Sequence, residues 1–167
     1  MNSFGWMSQK SIKKRIAVET ALTVACKEYV SGRGFRKAEK NVKNAYKKDG
    51  HYIAIYTRGG GEGGWAPYTF INEWLNDKTR KISMVLGSLV SKRGEEFRGR
   101  IYFLDNKAIS DLLSGKYESR GHYTISEKEL EDYMEKQQFS ASDKHVILEN
   151  FNNRENLRTV LAENIGE

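Results

Sequence analysis

A chain of 167 residues, 38 % hydrophobic and 30 % charged, is long enough for one buried core, and 11 % aromatic content excludes a wholly disordered polypeptide. One proline excludes a Pro-rich linker, one cysteine (Cys26) excludes an internal disulfide, and three scattered histidines (His51, His122 and His145) leave no Cys/His zinc cluster. No apolar run approaches the roughly 20 residues of a membrane span, and MNSFGWMSQKSIKKR lacks the apolar centre of a signal peptide, so a reducing, cytoplasmic setting is expected.

The net charge of +6 conceals an asymmetry. Residues 1–60 carry 13 Lys and Arg against 4 Asp and Glu, whereas residues 61–167 carry 15 against 18. Such a field attracts polyanions, nucleic acid above all, or an anionic membrane surface. A solvated basic face without a partner is the plain alternative.

One domain in three zones is expected. The first, residues 1–50, reads as two helices. Ser8 or Ser11 caps the first. Val18, Leu22, Ala25, Cys26 and Tyr29 recur on one helical stripe, and SGRG at Ser31–Gly34 ends it. The second runs from Phe35 to about Lys48 and stops at Asp49-Gly50. On that helix Arg36, Lys40, Lys43 and Lys47 stand at i, i+4, i+7 and i+11. They would form a line about 16 Å long, opposite Phe35, Ala38, Val42, Ala45 and Tyr46. Like charges at i, i+4 repel, and an anionic partner would relieve them. Lys13, Lys14 and Arg15 would extend the patch.

The second zone, residues 51–125, reads as β-rich. HYIAIYT is β-branched and aromatic, a strand. RGGGEGGW, Arg58–Trp65, follows as a loop. APYTFINEWLND reads as a short helix with Pro67 in its first turn. KISMVLGSLVSKRGEEFRGRIYFLD reads as two strands joined at KRGEE, although Ile82, Val85, Leu86 and Leu89 also fit a helix. RGHYTI supplies a fourth short strand. The third zone, residues 126–167, is acidic and helical. Ser126 and Glu129 form a capping box ahead of Leu130, Tyr133 and Met134. Ser142 starts a helix through Val146, Leu148 and Phe151, and a last helix carries Leu157, Val160, Leu161 and Ile165. The expected fold is thus α+β, with two N-terminal helices, a small mainly antiparallel sheet of about three to four strands, and acidic C-terminal helices.

Four motifs carry possible chemistry. Gly59, Gly61 and Gly64 match the dinucleotide-binding G-x-G-x-x-G, without the acidic residue expected about 20 positions later. Arg58-x-x-Gly61-x-Gly63 resembles the acyl-CoA pyrophosphate loop of the GNAT N-acetyltransferases, which implies a strand–loop–helix whose backbone N–H groups hold phosphate. RIYFLDNKAISDLL is similar to that family's next strand and Asn-containing segment. Glu95, Asp105 and Lys107 resemble the PD-(D/E)xK nuclease core, with Glu in place of the more usual first Asp. The resemblance implies two acids holding Mg²⁺ and a lysine activating water. His122-Tyr123-Thr124 resembles one H-x-T motif of the 2H phosphoesterases, which need a second such motif. Here His51-Tyr52-Ile53 lacks the hydroxyl residue.

The expected function is nucleic-acid binding. Arg36, Lys40, Lys43 and Lys47 would contact phosphates, and Arg58, Gly59, Gly60 and Gly61 would let backbone approach closely. Tyr52, Tyr56 and Trp65 would stack on bases wherever they face outward. No metal is expected outside the nuclease alternative. That nuclease, an acyltransferase, and a protein-interaction or inhibitor module are the rival readings.

Overall fold

The structure is a computed structural model that describes residues 22–58, 64–93, 96–137, 145–148 and 154–165. Ser8, Ser11, Lys13, Lys14, Arg15, Val18, Glu95, Ser142, Phe151 and the glycines from Gly59 to Gly63 lie outside the described residues. In chain order the elements are α1 (22–31), β1 (Arg36–Lys37), β2 (Ala45–Lys48), β3 (His51–Arg58), β4 (Gly64–Trp65) and α2 (Ile71–Asn76). There follow β5 (Lys81–Arg93), β6 (Glu96–Leu104), α3 (Asn106–Leu113), β7 (Ile125–Ser126), α4 (Glu127–Lys136), β8 (His145–Leu148) and α5 (Arg154–Ile165).

Six strands form one mixed sheet in the order β1-β2-β3-β5-β6-β8, and β4 pairs with β7 in a second, two-stranded sheet. In the large sheet β3 and β5 run parallel, and the other neighbours are antiparallel. Alternation along the strands divides the core in two. Ile53, Ile55, Val85 and Ile101 face Leu22, Cys26, Tyr29 and Val30 of α1 and Leu157, Leu161 and Ile165 of α5. Ala54, Ile82, Met84, Leu86, Tyr102 and Leu104 face the other way, onto Trp65, Trp74 of α2, Ile109 and Leu113 of α3, and Leu130 and Met134 of α4. Helices therefore cover both faces of the sheet, a three-layer arrangement in which each helix buries one stripe.

This corrects the expected fold. One helix, α1, precedes the first strand among the described residues, and the second expected helix is absent. Residues 35–48 instead contain β1 and β2 and their connection. The apolar spacing of that segment fits a helix, but pairing with β3 wins. Ala45 and Tyr46, which a helix would place on one stripe, point to opposite faces of β2. Ala45 joins the α2 side opposite Ala54, and Tyr46 packs on the α1 side opposite Ile53. Each apolar neighbour thus finds its own core, an outcome of tertiary context rather than local propensity. Likewise, Val146 and Leu148 lie in β8, which extends the sheet beside β6, and not in a helix. The sheet accordingly exceeds the expected three to four strands. Residues 81–104 form the paired strands β5 and β6, with an irregularity between Leu89 and Ser91. α2 is shorter than expected. Pro67 precedes it, and its carbonyl accepts a bond from Tyr123 N–H at 2.8 Å. Among the described residues no helix is long and apolar enough to cross a membrane.

Candidate nucleic-acid interface

The predicted cationic line survives as residues, not as a helical stripe. Arg36 of β1 stands directly opposite Lys47 of β2, which in turn stands opposite Tyr52 of β3. Strand alternation puts these three on the α2 side of the sheet. Lys37 and Lys48 take the α1 side, opposite Tyr46 and His51. Lys40 and Lys43 are exposed in the connection between β1 and β2. Arg33, just before β1, lies 3.9 Å over the Tyr29 ring and donates to the Tyr29 carbonyl at 3.2 Å.

From Arg33 to Lys48 the chain carries seven cations (Arg33, Arg36, Lys37, Lys40, Lys43, Lys47 and Lys48) and one carboxylate, Glu39. That carboxylate is engaged, because Trp74 Nε1 donates to Glu39 Oε1 at 3.2 Å. Ala38 and Val42 pack against the α2-side core, so the connection is laid over Trp74. β1 is the outer strand of the sheet, and cations on such an edge discourage pairing with another chain. The Arg36–Lys47 juxtaposition costs some tenths of a kcal/mol, since like charges directly opposite repel.

Other predicted contacts separate from this hairpin. β2 reaches Ala54 on β3, and Arg58 lies four residues beyond, about 13 Å at 3.3 Å per residue. Gly59, Gly60 and Gly61 lie outside the described residues. Gly64 has a steric reason to be glycine. A Cβ there would lie 2.1 Å from the Ile125 carbonyl oxygen, so close pairing of β4 with β7 requires its absence. Of the proposed stacking aromatics, Trp65 is buried and donates through Nε1 to the Gly87 carbonyl at 2.9 Å. Tyr52 and Tyr56 are half-buried.

Asp105 caps α3, accepting from Ala108 N–H at 2.9 Å, and Lys107 points to Asp111 at 2.9 Å. Glu95 is outside the described residues. β6 separates Glu96 from Leu104 by eight residues, about 26 Å. Among the described residues no group of three or more His, Cys, Asp or Glu could hold a metal. After the Arg58 loop come β4 and the Pro67 segment before α2, a helix of six residues. The pairing of β3 with β5 is continuous from His51–Lys81 to Arg58–Ser88. The two histidines do not converge. His51 bonds Ser83 Oγ at 3.0 Å, and burial, with Lys81 nearby, lowers its pKa to about 4. His122 lies against Tyr68, whose N–H reaches Tyr56 OH toward the other end of β3.

One polar cluster escaped the sequence reading. Ser88, 1 % exposed, donates to Glu127 Oε2 at 2.8 Å, and Tyr102 OH donates to the same oxygen at 3.2 Å. Arg100 links Tyr102 OH to Glu131. Burial foremost pushes the Tyr102 phenol up to about 12. The cluster ties α4 to β5 and β6. No local pattern singles it out, because Ser88 is one of three serines in β5. No protein-family model matches the chain, and no curated protein matches it in sequence.

Proposed function

We propose that the protein binds nucleic acid through the phosphate backbone, using the β1–β2 hairpin and its connection. One observation carries the reading: seven cations to one carboxylate between Arg33 and Lys48, with that carboxylate engaged by Trp74. Lysines held on a short edge hairpin present point charges to phosphates without a fixed base-reading geometry. Binding of this kind gains from counterion release and carries little sequence preference.

The test is a titration of labelled nucleic acid over a series of salt concentrations. Lys40, Lys43 and Lys47 are each expected to neutralise one phosphate. The slope of log K against log salt should then shrink by roughly 2–3 when all three become Gln, because each phosphate contact contributes about −0.9 on duplex or −0.7 on single strands. Affinity should drop similarly for every sequence. Salt-independent binding by the wild-type protein, or a triple variant indistinguishable from it, would overturn the reading.

A further inference from the structure

The hairpin does not end in bare solvent on the α2 side. Tyr52, the cross-strand neighbour of Lys47, begins a chain of aromatic rings. The Arg80 guanidinium lies 4.6 Å over the Tyr52 ring, and the Tyr52 and Trp74 centroids are 5.0 Å apart. Trp74 is 4.9 Å from Phe70. Phe70 stacks on Tyr68 at 5.7 Å with the ring planes within 18°, and Tyr68 lies 4.5 Å from His122. Trp74 is buried at 2 % exposure, whereas Tyr52, Phe70, Tyr68 and His122 each keep part of their surface in solvent. The acid next to Arg80, Asp77, is occupied by that arginine at 3.4 Å and by Thr79.

A ring chain that only filled a core would not need to surface beside a cationic edge. Here Arg36, Lys47 and Arg80 flank the point where the chain starts. Cations along a path of partly exposed rings match a single nucleic-acid strand, whose phosphates take the charges and whose unpaired bases stack on the rings. A duplex offers the same phosphates but hides its base faces.

Resting on the backbone-binding function proposed above, we infer that the physiological ligand is single-stranded nucleic acid, its bases stacking along Tyr52, Phe70, Tyr68 and His122. Phosphates at the Lys47 end would set the strand on the sheet face, and the rings would grip the bases that follow.

The full chain is titrated with oligo-dT, with oligo-U, with an abasic strand of equal length, and with duplex at matched salt. Oligo-dT or oligo-U is expected to bind at least about tenfold tighter than the abasic strand, as one good stacking contact provides. Whichever of the two binds tighter tells DNA from RNA. The double variant Tyr68→Leu/Phe70→Leu should close most of that gap and leave abasic binding unchanged, because it keeps apolar volume and removes the π faces. The wild-type comparison of base-bearing and abasic strands decides the matter even where that variant folds poorly. Equal affinity for the two strands, or tighter binding to duplex than to oligo-dT and oligo-U alike, overturns the single-strand inference while salt-dependent backbone binding stands. Absence of binding to every strand overturns both.

Discussion

At the scale of the residue, Gly64 separates two explanations of one glycine. As the last position of G-x-G-x-x-G it suggested a phosphate loop. In the fold it lies in β4, where a Cβ would approach Ile125 O at 2.1 Å and Ile125 C at 2.7 Å. Both are backbone atoms in the paired strand β7, and neither can rotate away. Gly64→Ala is therefore expected to destabilise the protein by about 1–3 kcal/mol, as overpacking does, read as a lowered urea midpoint at unchanged slope. A midpoint equal to wild type would show that β4 and β7 part at no cost. The steric need was invisible in the sequence, because Ile125 lies 61 positions away. The capping box was visible for the opposite reason. Ser126 Oγ accepts from Glu129 N–H at 3.1 Å and Glu129 Oε2 accepts from Ser126 N–H at 2.8 Å, a contact closed within four residues.

At the scale of the element, the cationic hairpin depends on two backbone positions with positive φ. Asn44 at 63° turns the chain into β2, and Asp49 at 53° turns it from β2 into β3. Asn and Asp tolerate this region better than other side chains, and β-branched residues resist it. Asn44→Val should cost about 1–2 kcal/mol, whereas Asn44→Gly should be neutral or stabilising. Amide exchange gives a local reading, since Ile55 N–H donates to the Asn44 carbonyl at 3.0 Å. That amide should lose protection in the Val variant before the amides of β5 do, and equal loss in both would mean that the hairpin and the central sheet open together. The cations of this element were legible as composition. Their geometry was not, because Phe35, Ala38, Val42, Ala45 and Tyr46 satisfy a helical period and only the free edge of β3 selects a strand.

At the scale of the whole molecule, the described residues of the acidic third zone form two helices and β8, which extends the sheet beside β6. Local signals named α4 and α5, through the Ser126/Glu129 capping box and the apolar stripe of Leu157, Val160, Leu161 and Ile165, but not α3 (Asn106–Leu113). They did not name β8 or the parallel partnership of β3 with β5, which join residues about 30 to 50 apart. The cluster of Ser88, Tyr102, Glu127 and Arg100 was hidden for the same reason, since its members come from three elements. The packing of α1 on the sheet has a consequence for chemical reactivity. Cys26, the chain's one cysteine, lies on the buried face of that helix at 1 % exposure, and burial raises its thiol pKa. A thiol reagent can reach it only when α1 lifts, so the modification rate under native conditions counts openings of that layer. Leu22, one turn earlier, closes over Gly87, where an added Cβ would meet Leu22 Cδ2 at 2.4 Å. Gly87→Ala should therefore speed modification of Cys26, measured by mass spectrometry after timed exposure to the reagent, and an unchanged rate would mean that Leu22 swings aside without disturbing the helix. The lone thiol then serves as a clock, set by how often one face of the sheet is uncovered.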